Sequence, residues 1–307
     1  MQLIEDKYNQ ANEIVTSFGR ELNKKPPPPL IYHYTDGTGL RGIFESGKLW
    51  FTDIFKLNDP TEVRHGLNPA IEIINQRAHN GPPELKLFSN ILKRMVNEGI
   101  ELTAHHFVCC FSKDAEDLGQ WRAYADNGRG FVIGFDGGIL VQAFIKAGNE
   151  NHSTFPITYR DKRLREMQKE IIEKFIPFFS FPRGRNFTNG ERKRYLTELS
   201  TSLAVPLVSS ALFFKHKAYK NEKEYRFHQI YAAGPLDGVK LRTRQYSLIR
   251  YREFDWRTVA AGSLKKIIIG PGADRSLAHQ FVDECLREFH QVEGVKIGQS
   301  DIPYRAL

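Results

Sequence analysis

The chain has 307 residues, enough to bury a sizeable core as one large unit or two ordinary ones, and its 41% hydrophobic and 26% charged residues are those of a soluble globular protein. Forty-four Lys and Arg against 36 Asp and Glu give a net charge of +8, which favours anionic partners such as nucleic acid or phosphate-bearing small molecules. Only three cysteines occur, Cys109, Cys110 and Cys285, at spacings that supply neither a disulfide framework nor a zinc site, and no run of ~18 apolar residues suits a membrane.

In chain order, residues 1–23 show helical spacing of Leu3, Ile4, Ile14, Val15, Phe18 and Leu22. Glu, Asp and Asn stand where a signal peptide needs an apolar stretch, so the expected location is cytoplasmic. Four prolines, Pro26 to Pro29, end the helix and form a stiff connector. Residues 1–25 are therefore expected as a helix with a linker, followed by a single α+β unit over 26–307 with helical insertions at 61–101 and 161–214.

Residues 30–35 (Leu-Ile-Tyr-His-Tyr-Thr) predict a strand with His33 and Thr35 on one face and Tyr32 and Tyr34 on the other. A short helix over 40–47 and a strand over 48–52 follow, and then a loop in which Asn58-Asp59-Pro60 marks a turn ahead of Thr61 and Glu62. Two helical patterns fill 61–101, split at Asn80-Gly81-Pro82-Pro83. The apolar strand over 105–112 places His105 and His106 on opposite faces, where they cannot by themselves form a metal site.

Gln120 to Asp126 read as one or two helical turns that bring Trp121 and Tyr124 to one side, before a glycine turn and a strand over 131–135. Helical patterns cover 161–175 and 191–214; the loop between them mixes Phe178, Phe179, Phe181 and Phe187 with Arg183 and Arg185, and either stacks on a nucleic acid strand or docks its rings on the core. Further on come an alternating basic strand over 239–244, strands near 248–254 and 264–269, and a Gly270-Pro271-Gly272 turn into a helix over 276–289. That turn lacks a phosphate-loop ending, so it reads as turn chemistry.

The most unusual stretch is 215–227. On a strand Glu222, Glu224 and Arg226 share a face, with Lys223, Tyr225 and Phe227 opposite. Paired carboxylates raise one pKa, and Arg226 or Lys215 opposes the rise. The competing reading is a solvated edge strand whose charges discourage edge-to-edge pairing.

Together His33-Tyr34-Thr35, the Trp121/Tyr124 element and Glu222-x-Glu224 resemble the ADP-ribosyltransferase superfamily, and residues 31–49 are similar in form to the start of its DNA-modifying toxin branch. His33-Tyr34-Thr35, Asn58-Asp59-Pro60-x-Glu62, Phe111-Ser112, Trp121-x-x-Tyr124-Ala125 and Glu222-x-Glu224-x-Arg226 resemble more closely a bacterial family of unknown function, over roughly residues 30–270. The first resemblance implies a bent, split antiparallel or mixed sheet with peripheral helices. It implies NAD as substrate and no metal, with a toxin or defence role and an antitoxin-like regulatory partner. His33, Tyr34 and Thr35 would hold the ribose and nicotinamide region, and Trp121 or Tyr124 would stack on nicotinamide. Glu224 would be the catalytic carboxylate and Glu222 would orient the acceptor, RNA, DNA or protein. Arg226 or Lys215 would keep the carboxylates ionised or meet the pyrophosphate; Asn58, Asp59 and Glu62 are expected as an acceptor or loop element, although the Asn58-Asp59-Pro60 turn has no role in the superfamily's standard scheme. The chain departs from the superfamily in having no Ser-Thr-Ser strand. Two alternatives are a nuclease or phosphodiesterase with a divalent metal at His33, Asp59 and Glu224, and a non-catalytic nucleic-acid-binding module resting on the net charge and the Phe/Arg loop.

Overall fold

A computed structural model describes residues 2–57, 62–98, 104–148, 151–180, 188–290 and 294–305, the side chains of Met95, Val96, Glu98 and His290 excepted. The architecture is α+β: one large open mixed sheet with helices on both faces. The strands are β1 (Leu30–Thr35), β2 (Lys48–Asp53), β3 (Ala104–Ser112), β4 (Phe131–Asp136), β5 (His152–Pro156), β6 (Glu224–Ala232), β7 (Lys240–Arg244), β8 (Ser247–Asp255), β9 (Leu264–Ile269) and β10 (Lys296–Gln299). The helices are α1 (Gln2–Leu22), α2 (Gly37–Ser46), α3 (Glu62–His79), α4 (Pro83–Glu98), α5 (Leu118–Tyr124), α6 (Gly137–Gly148), α7 (Asp161–Phe175), α8 (Asn189–Ala211), α9 (Trp256–Val259) and α10 (Arg275–Cys285).

The sheet runs β10-β9-β4-β1-β3-β2-β8-β7, with β6 on the other edge of β3 and β5 beyond β6; β9 and β10 are parallel and the other pairs antiparallel. All of β3, from Ala104 to Ser112, pairs with β6. Its opposite edge is shared: β1 meets it at Ser112, and β2 meets it at Phe107 and Val108. The sheet therefore forks along β3. It is one connected ten-stranded sheet, not two short parts, and the split is this fork.

Both faces of β3 are covered, which explains its continuous apolar run. Val108 packs with α1, α3, α4, α7 and α8 in one core, while Phe107, Cys109 and Phe111 point into a second core with α2, α6, α9 and α10. The expected helical insertions thus form one layer over one face, and α1 contributes Ile4, Ala11, Val15 and Phe18 to it. On the opposite face Phe144 stacks on Phe51 at 5.1 Å and meets Phe227 at 4.9 Å. Burying rings of this size contributes about 1.5–3 kcal/mol each.

Local signals set the element ends. Asp36 caps α2 by accepting from the Gly39 N–H at 2.7 Å, and Gly47, at φ 66°, ends it. Gly66 lets α3 approach α8, because a Cβ there would lie 2.6 Å from the Ala211 Cβ. Helix α6 and strands β5 and β10 carry no clear periodic signal in the sequence; the Gly137 N–H that opens α6 donates to the Pro29 carbonyl of the connector at 3.0 Å.

The stretch around Glu222 differs from the expected strand. Lys217–Glu222 form 3-10 turns, Lys223 adopts φ 45°, and β6 starts only at Glu224. Strand β6 lies between β3 and β5, so the edge-strand reading fails as well. Pairing on both sides and helices above it bury Glu224 and Arg226.

Candidate active site

The fork leaves a cleft between β1 and β2, floored by β3. His33 and Tyr34 line the β1 wall; Trp50, Thr52, Lys56, Leu57, Arg242 and Arg244 line the β2 and β7 wall. Cys109, Cys110 and Phe111 form the floor, and Gln120, Tyr124, Lys215, Tyr219, Glu62, Glu222 and Glu224 close one end. The cleft has a volume of about 210 Å³.

At that end lies a buried charge cluster. Lys215 Nζ sits 2.5 Å from Glu222 Oε2, 3.1 Å from Glu224 Oε2 and 3.6 Å from Glu62 Oε2. Arg226, fully buried, donates through Nε to Glu224 Oε1 at 2.7 Å and through Nη1 to the Leu212 carbonyl at 3.2 Å. Its Nη2 approaches Glu62 Oε1 to 2.6 Å, an ion pair whose alignment falls short of a hydrogen bond. Glu62 heads α3, Glu224 heads β6, and Lys215 follows α8, so the cluster ties three distant elements together.

The two carboxylates that flank Lys223 part company in acidity. Burial would raise Glu224, but Arg226 and Lys215, with the Cys110 thiol as a further donor, hold it well below the usual carboxylate range. Burial raises Glu222, and Lys215 only partly opposes the rise. Glu222 is the more exposed of the two and accepts from the Tyr124 hydroxyl at 3.3 Å. Divergent pKa values in a carboxylate pair are a mark of separate proton-transfer and fixed-charge roles. Ser112 Oγ donates to the Glu222 carbonyl at 2.7 Å and fixes the turn that aims this side chain.

His33 Nδ1 lies 3.2 Å from the Cys110 carbonyl, which can only accept, so Nδ1 carries the proton and Nε2 is left as an acceptor. Burial lowers the His33 pKa against this hydrogen bond, which favours the neutral ring. Tyr34 donates to the Asp114 carbonyl at 2.9 Å. Cys110 reaches the cleft; burial and Glu224 push its pKa well up, so it is no thiolate nucleophile.

The structure thus brings His33, Tyr34, Tyr124, Lys215, Glu62, Glu222 and Glu224 to one cleft. It does not bring Trp121, Thr35 or Arg226 there. Trp121 is wholly buried, edge-on to Tyr34 at 5.2 Å, because its face of α5 packs on β4 and β9 through Val132 and Ile268. Thr35, also buried, packs against the start of α2 beside Gly39, and Arg226 lies behind Glu224. Asn58 and Asp59 lie outside the described residues, as does the 181–187 part of the Phe/Arg loop; Phe178 and Phe179 just before it pack on the core. Glu62 is in the charge cluster instead of an acceptor loop. Sequence reasoning missed Trp50, Thr52, Lys56, Gln120 and Tyr219 as lining residues; it noted the basic alternation that holds Arg242 and Arg244, but no local signal shows that β7 reaches the cleft through β8 and β2.

Over residues 120–227 the chain is similar to a family described as "Protein of unknown function (DUF2971)". The match takes in α5 from Gln120 onward and the start of β6, and so both Trp121-x-x-Tyr124-Ala125 and Glu222-x-Glu224-x-Arg226. It covers part of the expected 30–270 span and carries no activity with it. No curated protein and no solved structure matches the chain.

Proposed function

We propose that the cleft binds a ligand that carries or develops positive charge next to Glu222, and that the protein is an NAD-consuming ADP-ribosyltransferase. The observation that carries this reading is the charge count at the closed end. Three carboxylates, Glu62, Glu222 and Glu224, face two cations, Lys215 and Arg226, which leaves one negative charge in excess among the described residues. Glu222 is the most exposed of the three, so the surplus is directed at the cleft. Nicotinamide in NAD is cationic, and breaking its bond to ribose C1′ makes the ribose oxocarbenium-like. A carboxylate already aimed at that centre stabilises the charge without reorganising at the moment of reaction.

In this reading the ribosyl C1′–N bond breaks with its electron pair leaving on nicotinamide. A nucleophilic O or N of the acceptor, in RNA, DNA or protein, bonds to C1′, and its proton passes to Glu222. Glu224, with both oxygens held by Arg226 and Lys215, is the fixed charge that positions Lys215 and, through it, Glu222. Glu222 thereby takes the catalytic role that the resemblance implies for Glu224, and Glu224 becomes a positioning charge. Tyr124 and Tyr219 supply ring faces beside Glu222, and His33 Nε2 accepts from a ribose hydroxyl. Glu224 offers no free oxygen as a metal ligand, because Arg226 engages its Oε1 and Lys215 its Oε2.

The test is release of labelled nicotinamide from NAD by pure protein, alone and with nucleic acid or protein acceptors. Glu222→Gln should lower release by a factor on the order of 10² or more, the size expected for loss of charge stabilisation. No release by the wild type under any of these conditions overturns the activity. Release retained by Glu222→Gln but lost by Glu224→Gln returns the central role to Glu224.

A further inference from the structure

We infer that Arg242, on β7, is the phosphate-binding residue of the cleft, and that it holds the pyrophosphate of a dinucleotide whose sugar end lies at Glu222. The inference rests on the NAD reading for the dinucleotide, but the anion site stands on its own geometry. Arg242 lines the cleft on the wall formed by β2 and β7. Its Nη2 donates to Thr52 Oγ1 at 3.2 Å, and its Cζ lies 5.6 Å from the centre of the Trp50 ring, two neutral groups that fix the guanidinium without neutralising it. Its Nε is buried and makes no hydrogen bond. Burial first, and the neighbouring Arg244 second, lower its pKa, and only Tyr251 acts the other way; among the described residues no carboxylate figures among its partners.

A half-buried guanidinium held beside a second one is electrostatically costly unless an anion completes the site, and guanidinium geometry matches two phosphate oxygens at once. Elsewhere on β7 the contrast is plain: Lys240 pairs with Glu253 at 2.9 Å. Lys56 lines the same wall, and Arg244 Nη2 is pinned to the Lys56 carbonyl at 3.1 Å, so the positive charge is gathered at one place. A cleft of about 210 Å³ takes a nicotinamide or its ribose but not a whole dinucleotide. The phosphates of such a ligand therefore lie beyond that volume, and Arg242, on the wall formed by β2 and β7, is the cation placed to meet them. The two cations that the sequence offers for that task, Lys215 and Arg226, are both engaged by carboxylates.

Calorimetric titration with inorganic pyrophosphate, ADP-ribose and nicotinamide riboside tests this on the full chain. Pyrophosphate and ADP-ribose should bind the wild type, and Arg242→Gln should weaken both by on the order of 10-fold or more, the loss expected for charge-assisted hydrogen bonds. Arg242→Lys should recover part of that loss. Nicotinamide riboside should bind wild type and Arg242→Gln alike, and an unchanged melting temperature would show that the variant folds. In NAD turnover the same variant should raise KM more than it lowers kcat. Failure of both phosphate ligands to bind the wild type, or equal binding by Arg242→Gln, overturns the site. If ADP-ribose binds through Arg242 but NAD is never consumed, the anion site stands and the transferase reading falls. If NAD is consumed with a KM indifferent to Arg242→Gln, the transferase reading stands and this site falls.

Discussion

Replacing Arg226 by Met tests the charge cluster most directly. Arg226 is fully buried, and its removal strands Glu224, 2.7 Å away, and Glu62, 2.6 Å away, while the Leu212 carbonyl loses a donor. Three carboxylates then face Lys215 alone. Removing one partner of a buried ion pair typically costs about 3–5 kcal/mol, because the remaining charge is left without compensation. At about 2 °C per kcal/mol for a long chain, melting should fall by roughly 6–10 °C, which differential scanning calorimetry resolves. Arg226→Met combined with Glu224→Leu should be at least ~1 kcal/mol more stable than the sum of the two single changes, since it removes a stranded charge along with its partner. Arg20→Ala is the control: its pair with Glu13, at 2.8 Å, is well exposed and screened by solvent, so its loss should leave the melting temperature nearly unchanged. Melting of Arg226→Met within ~2 °C of wild type, or strict additivity in the double variant, would refute the reasoning.

Three other outcomes follow from the same geometry. Glu222 has a raised folded pKa, so it favours the fold below the unfolded carboxyl range, and that contribution is lost as pH rises through the folded value. Glu222→Gln should therefore gain melting temperature relative to wild type as pH rises from about 4 to 8; a difference that does not change with pH would speak against it. Glu224 is the opposite case, with stability present above the unfolded value near 4.3 and lost as pH falls through its depressed folded value, so the deficit of Glu224→Gln should shrink on acidification; a deficit that persists at low pH sinks this one. Trp121→Ala should cost about 3–5 kcal/mol by cavity formation and leave ligand binding unchanged in the surviving folded protein, whereas a selective loss of NAD affinity would return Trp121 to the site.

Much of the molecule was legible in the residues themselves, and the exceptions share a cause. The strands at 30–35, 48–53 and 104–112 and the helix at 161–175 follow from periodicity, glycine stops and caps, all local signals. His33, Tyr124, Glu222 and Glu224 were each singled out by a neighbouring turn or an unusual charge pattern, but only the resemblance in the order of their motifs grouped them in one cleft. What could not be read was pairing. Trp121 and Tyr124 lie three apart, yet which of them meets the core depends on how β4 and β9 pack beneath α5. Arg242 reaches the cleft only because β8 bridges β7 to β2, a contact spanning some two hundred positions of chain. The apparent Glu-x-Glu strand dissolved for a local reason that periodicity does not show: the left-handed Lys223 breaks the alternation between its two carboxylates.

The fork along β3 also divides responsibility for evolution of the site. Glu224 and Arg226 belong to β6, on the unbroken edge, and share that edge with the whole length of β3. Trp50, Thr52 and Arg242 belong to the branch that leaves the opposite edge at Val108, and His33 and Tyr34 to the branch that leaves at Ser112. A change of loop length or side chain in either branch alters the shape and charge of one wall without touching a ladder bond of the strand that anchors the carboxylates. The two walls of the cleft and the strand that carries Glu224 and Arg226 are thus mounted on separable parts of one sheet.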